Sequence, residues 1–348
     1  MSDDLNRLHI ELDYGEIVNF NNLYYTFSAS DENFDKHSKI LLGSLIALPV
    51  LLLKYHGVNI KTSEQFLKFP IIKKPKKIND LLINGKIFNY VDITKNLKLN
   101  SAEKKILSIF KKLNILPFPI FLKKKPNKLK FTFDLSKIKN SLNKSKIIYK
   151  DSTSLPLKKN KNVQIVLFDD LILKNTHYAL IFNKNKRSTN PIVRIHSSCL
   201  TGDLMGSQKC DCGYQLDSTI EYMSKDDGMS ILIYLNQEGR GLGIHNKIIS
   251  YNIQENGWDT YQADNILGFS GDERDYKAAV KILKFFKIKK CKLITNNPEK
   301  IKYLKNNKID VEKMIKIKPG INQFNKKYLI TKKLIGKHLL NLWQSKFT

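Results

Sequence analysis

Three of the four cysteines in this 348-residue chain fall within fourteen positions, in CLTGDLMGSQKCDC, residues 199–212. Three sulfurs cannot pair off among themselves, so a fold that gathers them must satisfy them another way. The spacing C-x10-C-x-C puts Cys210 and Cys212 just before a helix-forming stretch and Cys199 at the end of a strand-like one. Soft thiolates so placed suit zinc. Three protein ligands without an obvious fourth leave one coordination position for water, as in catalytic sites, whereas structural sites usually use paired C-x2-C units. The alternatives are three buried structural cysteines, or a site closed by His196 or His245. Cys291 lies in an apolar strand and reads as core.

The length suits two domains. Clustered rather than dispersed cysteines fit a reducing cytoplasm. The longest apolar run, Ile40 to Leu53, is too short to span a bilayer and is interrupted by Pro49, so it reads as a buried helix followed by a strand. The first residues are acidic and polar, unlike a secretory signal, and no membrane partner is expected. The net charge of +28 is uneven: 3 basic and 8 acidic side chains over residues 1–50, then 24 basic and 5 acidic over 51–150. No aromatic-basic interleaving or RNA- or DNA-binding motif accompanies it, so no nucleic-acid partner is expected. Such a charge still draws in a polyphosphate. Only five of the 60 basic residues are arginine, namely Arg7, Arg187, Arg194, Arg240 and Arg274. Where lysine is so preferred, an arginine marks a place that needs a planar fork.

Residues 71–150 are lysine-rich and broken by prolines, with a helix expected around 101–114, N-capped by Ser101. Residues 144–162 read as a linker or domain entry. After them the pattern sharpens. Strands are expected at 163–168, 177–182, 192–197, 230–235 and 291–295, and helices at 214–225, 245–256 and 273–286. The alternation predicts a layered α/β domain. Three turns that open helices stand out. QEGRGLG (237–243) is glycine-rich and carries Arg240, which suits phosphate, though a tight connection is the plain alternative. GDERDY (271–276) opens a helix with Asp272 placed as N-cap and Arg274 beside it. TNNPEK (295–300) puts Pro298 in a first helical turn.

Four ordered stretches, RIHSSCLTGDLMGSQKCDCGYQL, LNQEGRGLGIHNKIISYNIQENGWDT, LGFSGDERDY and LITNNPEK, resemble the GTP cyclohydrolase II family. The resemblance implies an α/β fold: a layered mixed-sheet domain over 148–340, preceded by a smaller α/β or α+β domain over 1–147 and followed by a tail, 341–348. It implies opening of the GTP imidazole ring at C8, with formate and pyrophosphate released and 2,5-diamino-6-ribosylamino-4(3H)-pyrimidinone 5′-phosphate formed, the start of riboflavin synthesis. It implies one zinc per subunit on Cys199, Cys210 and Cys212, magnesium with the polyphosphate, and a homodimer. Arg274 would act at the α-phosphate, with Asp272 as proton acceptor and Tyr251 assisting at the ring. Arg194, Ile195, His196, Ser197, Ser198, Gln215, Glu238, Gly239, Arg240, Thr260, Thr295 and Lys300 would contact GTP, with Glu238 and Gln215 reading the guanine edge. A guanidinium stabilising the phosphoryl transition state electrostatically serves Arg274 as well as a nucleophilic role does. Two positions depart from the family: Ser198 where Glu is common, and Asn236 where Arg is common.

The family's domain often follows a 3,4-dihydroxy-2-butanone 4-phosphate synthase domain with an acidic magnesium-binding loop. Residues 14–34 lack that acidic cluster. The first 147 residues are therefore expected to be diverged or unrelated and without that activity. The competing readings are a bifunctional riboflavin enzyme and a non-catalytic zinc-bearing RNA-binding protein.

Overall fold

The structure is a computed structural model that describes residues 2–82, 87–127, 129, 131–144, 146–186 and 188–342. Arg187 and residues 343–348 of the expected tail lie outside the described residues. The chain forms two compact units, Met1–Lys144 with His245–Glu273, and Ser145–Ile244 with Arg274–Thr348. Each holds one seven-stranded mixed sheet with helices, so both are α/β in composition.

In the first unit the strands are β1 (Val18–Phe20), β2 (Tyr24–Ser28), β3 (Leu45–Pro49), β4 (Phe66–Pro70), β5 (Leu97–Lys98), β6 (Pro119–Phe121) and β7 (Phe131–Phe133). Their order is β5-β4-β3-β6-β2-β1-β7. Among the described residues of this unit, β1 and β7 pair in parallel and the other neighbours antiparallel. Phe20, Phe27, Phe34, Phe69, Phe110 and Phe118 are fully buried, each stabilising the fold by about 1.5–3 kcal/mol. The apolar run from Ile40 becomes a short helix, then β3, then a second helix, Val50–Tyr55, rather than helix and strand alone. Pro49 ends β3 and caps that second helix at φ −62°, a value its ring enforces and both roles accept.

The helix expected at 101–114 spans Ser101–Lys112, but its cap is Asn100 instead of Ser101. The Asn100 side chain accepts the Glu103 N–H at 2.9 Å, and the Glu103 carboxylate accepts the Asn100 N–H at 2.8 Å. Glu103 also takes the buried Lys68 ammonium at 2.5 Å. The segment 245–273 packs within this unit. Its helix Thr260–Ile266 lies against Val50–Tyr55, Trp258 meets Tyr55 edge-on at 5.2 Å, and buried Asn246 donates to the Asn114 carbonyl at 2.8 Å.

In the second unit the strands are β8 (Ile147–Ser154), β9 (Val163–Asp170), β10 (Asn175–Phe182), β11 (Ile192–Ser197), β12 (Ser230–Leu235), β13 (Lys290–Ile294) and β14 (Asp310–Ile315). The order is β14-β13-β11-β12-β10-β9-β8. β12, β11, β13 and β14 run parallel, while β8, β9 and β10 add antiparallel. The stretch expected to be a linker therefore contains an edge strand, β8. Its side chains are exposed or half-buried and its register slips between Tyr149 and Asp151, so no alternation betrays it.

Side chains alternate across β11. Val193 and Ile195 face a core closed by helix Lys277–Phe285, while Ile192 faces one closed by Met223 of helix Cys212–Ser224. The central strands β11 and β12 are buried along nearly their whole length, as strands covered on both faces must be. Parallel β11 lies between β12 and β13, and the chain leaves β11 for a neighbour on one side and later returns to the other. Ligands of open α/β sheets sit beyond the carboxyl ends of strands at such a point. Among the described residues, no helix is long and apolar enough to cross a membrane.

Candidate active site around the cysteine cluster

Beyond β11 the chain runs through Cys199 into a single wide helical turn, Leu200–Leu204, and returns to start helix Cys212–Ser224. This brings the sulfurs of Cys199, Cys210 and Cys212 within 4.8 Å of one another, with Cys199 and Cys210 at 3.6 Å. Three thiolates tetrahedral about zinc at ~2.3 Å would stand about 3.8 Å apart, so the donor set fits that ion. Hydrogen bonding with Cys199 holds the Cys210 thiol up at about 11, and Cys212 is raised for the same reason and by burial. A bound cation takes up such thiols by displacing their protons. Among the described residues, the group within mutual ligand reach contains these three side chains and no histidine.

His196 is instead held by Asp203. Its Nε2 lies 3.1 Å from the Asp203 carboxylate, which also accepts the Tyr234 hydroxyl at 2.9 Å and the Cys199 N–H at 3.0 Å. Burial lowers the imidazole's pKa, and its Nδ1 is buried without a hydrogen-bond partner. Asp203 and Tyr234 escape a motif search because nothing in their spacing marks them. Only the fold shows that one carboxylate fixes both a cysteine backbone and a histidine.

Arg194 is fully enclosed, donating to Gln215 Oε1 at 2.6 Å and to the Ile294 carbonyl at 3.2 Å. Gln215 Nε2 in turn donates to Asp211, which lies between two of the cysteines. Burial lowers the Arg194 pKa to about 10, and Arg274 pushes the same way. Lys300 adds a third cation. Its ammonium donates to the Ile195 carbonyl at 2.7 Å and stands 5.4 Å from the Tyr276 ring, against which Arg274 lies at 6.0 Å. Thr295 is buried at the end of β13, its hydroxyl accepting the Asn297 N–H. The Ser197 hydroxyl is buried without a hydrogen-bond partner.

The glycine-rich turn joins this group directly. Glu238 accepts the Leu200 N–H at 2.6 Å, one residue past Cys199. Gly239 and Arg240 both adopt left-handed backbone angles, φ +57° and +58°. Ser198, where the family commonly has Glu, accepts the Gln237 N–H at 3.1 Å. Asn236, where the family commonly has Arg, donates its N–H to Nδ1 of buried His177 at 3.1 Å. The Gln237 side chain bridges to the Asp275 backbone, anchoring the turn to the segment after Arg274.

Helix Lys277–Phe285 begins later than the sequence suggests. Asp275, not Asp272, supplies the carboxylate at its start, accepting the Lys277 N–H at 2.8 Å. An N-cap role is therefore removed from Asp272. Three of the residues singled out belong to the first unit: Tyr251 on helix Ile244–Glu255, Thr260 at the start of its capped helix, and Asp272, whose carbonyl accepts from Ser270. The others, from Arg194 to Lys300, belong to the second.

The family profile described as GTP cyclohydrolase II matches residues 149–316. GTP cyclohydrolase-2 of Psychromonas ingrahamii is 50% identical over 170 residues, 49% of this chain and 84% of that protein. GTP cyclohydrolase-2 of Aliivibrio fischeri strain MJ11 is 43% identical over 185 residues, 53% of this chain and 92% of its own length. The Helicobacter pylori strain P12 protein of the same name is 48% identical over 164 residues, 47% of this chain and 82% of its own. With three sulfurs gathered beyond β11, joined to Arg194 through Asp211 and Gln215, and relatives matched along most of their length, the chain belongs to the GTP cyclohydrolase II family.

Proposed function

We propose that the chain hydrolyses GTP to 2,5-diamino-6-ribosylamino-4(3H)-pyrimidinone 5′-phosphate, formate and pyrophosphate, the entry reaction of riboflavin synthesis. The observation that carries this reading is the convergence of Cys199, Cys210 and Cys212 with the Arg194–Gln215 pair. Zinc bound by the three sulfurs supplies the Lewis acidity that lets water act as a nucleophile at neutral pH.

The protein's own groups then divide the work. Arg194 and Asp211 fix the Gln215 amide, since the first donates to its oxygen and the second accepts from its nitrogen. That leaves one N–H and one lone pair of Gln215 for a purine edge. Glu238, held by the Leu200 N–H, has carboxylate oxygens that can accept from guanine N1–H and its 2-amino group. Arg274, Lys300 and Arg240 take the polyphosphate, which magnesium accompanies. Charge developing at the α-phosphate is stabilised by Arg274, and Asp272 and Tyr251 complete the family's catalytic set. Ile195 contributes through its backbone, its side chain being core. His196, Ser197, Ser198, Gly239, Thr260 and Thr295 are assigned to GTP contact on the family pattern. A cytoplasmic homodimer is part of this reading.

The test is incubation of the full-length protein with GTP, Mg2+ and Zn2+, with formate and the diaminopyrimidine both measured, alongside Cys210→Ser. The wild type is expected to release formate and product in equal amounts and the variant neither. Pyrophosphate without formate would refute the ring-opening assignment.

A further inference from the structure

The helix Lys326–Leu334 lies beyond the family-matched residues, yet it reaches the cysteine motif. Lys332 Nζ stands 3.2 Å from Asp211 Oδ1, with side-chain exposures of 14% and 0%. Asn325, at the start of the helix and fully buried, donates to the Cys210 carbonyl at 3.4 Å and to the Gly320 carbonyl at 2.7 Å. The Lys332 ammonium also stands 5.4 Å from the Tyr328 ring one turn earlier on the same helix. The other Asp211 oxygen accepts from Gln215, which accepts from Arg194. A continuous polar chain thus runs Lys332, Asp211, Gln215, Arg194, and its second member is flanked by two cysteines.

We propose that Lys332 is a positioning residue for the metal centre: by holding Asp211 it fixes the Cys210–Cys212 loop and the orientation of the Gln215 amide. Asp211 is wholly enclosed, so removing Lys332 leaves one of its oxygens without a donor while the Gln215 amide still holds the other, and the loop that carries it shifts towards water or another donor. Polar groups behind metal ligands set metal affinity by 10–100-fold in general. The inference rests on the proposed zinc role of the cysteines.

The experiment measures zinc transfer from full-length, zinc-loaded protein to a colorimetric chelator, a readout independent of turnover. Lys332→Met is expected to release zinc about tenfold faster or more than wild type. Lys332→Arg, which keeps the cation, should stay within about threefold, and Lys333→Met on the same helix should match wild type. Asp211→Asn guards against a general loss of structure. If Lys332 acts through Asp211, adding Lys332→Met to Asp211→Asn leaves the release rate unchanged. Wild-type release from Lys332→Met, or full additivity in the double variant, overturns the inference alone. A wild type that holds no zinc overturns both it and the functional reading beneath it.

Discussion

Arg194 and Gln215 meet at 2.6 Å on the face of β11 covered by helix Cys212–Ser224, and the same guanidinium reaches the Ile294 carbonyl on neighbouring β13. One planar fork therefore links a strand, the adjacent strand and the helix that follows the cysteines. A lysine ammonium cannot make both bonds from this position. Arg194→Lys is expected to cost about 1.5–3 kcal/mol, the usual worth of a hydrogen bond to a charged group, and to lower GTP turnover by at least about tenfold. Urea unfolding checks the first, and formate release the second. An unchanged midpoint would show that the fork carries no weight in the fold.

The three sulfurs come together because two glycines let the backbone close. A methyl group on Gly213 would sit 2.3 Å from the Gly202 carbonyl oxygen, and one on Gly202 would sit 2.8 Å from Cys210 Sγ. The first clash is with backbone and cannot be relieved by a rotamer change. The second presses on a side chain that has some freedom. Gly213→Ala should therefore destabilise by about 1–3 kcal/mol and lose stoichiometric zinc, while Gly202→Ala retains the fold and binds zinc more weakly. Zinc titration with thermal melts of both variants tests the ranking, and equal behaviour would contradict it.

The parts of this arrangement that were readable in advance share a physical cause. Strands β9 to β13 were visible because burial on one or both faces imposes apolar alternation or continuity on five to eight residues. Strand β8 was not, because an exposed edge with a register slip imposes nothing. The cysteines, Arg194, Arg240 and Arg274 were legible because their chemistry is scarce in a lysine-rich chain. Asp203, Asp211, His177 and Lys332 were not, since they are ordinary residue types whose roles come only from which strand or helix end they meet. The start of helix Lys277–Phe285 shows the limit most plainly. Asp272 reads as its cap in sequence, yet the helix starts only after Tyr276, once the Asp275 backbone is anchored to the Gln237 side chain.

Arg240 occupies a left-handed backbone conformation, φ +58°, that a side chain with a Cβ adopts at a cost of about 1 kcal/mol. Glycine would sit there without strain. Retaining arginine at such a place is costly to the fold and makes sense when the guanidinium is used. Arg240→Gly is expected to leave the unfolding free energy within about 1 kcal/mol of wild type, while kcat/KM for GTP falls by about 100-fold. Arg240→Ala keeps the strain and loses the charge, so it should be the less stable of the two. Parallel melts and kinetics settle the matter, and a stable variant with wild-type kcat/KM would remove Arg240 from the site.

His177 tests the turn from the opposite side of the sheet edge. It is buried on β10, and its Nδ1 accepts the Asn236 N–H, so the native state needs the neutral ring. Burial lowers its pKa from the ordinary value of 6.5 to about 4. The unfolded chain takes up a proton near 6.5 and the folded chain does not until about 4. Stability from this group is thus fully present above 6.5 and is lost as pH falls towards 4, by about 3 kcal/mol in all. His177→Phe cannot titrate, but leaves the Asn236 N–H without its acceptor at a cost of about 1–3 kcal/mol at any pH. Wild type should therefore be the more stable protein at pH 8 and lose that advantage, or fall behind, near pH 4. Half-buried His37 and His56 and buried His196 are lowered too, but they are common to both proteins and cancel in the difference. Urea unfolding of the pair across that range gives the comparison directly. A stability gap that does not change with pH would mean that the imidazole is not held neutral by the fold.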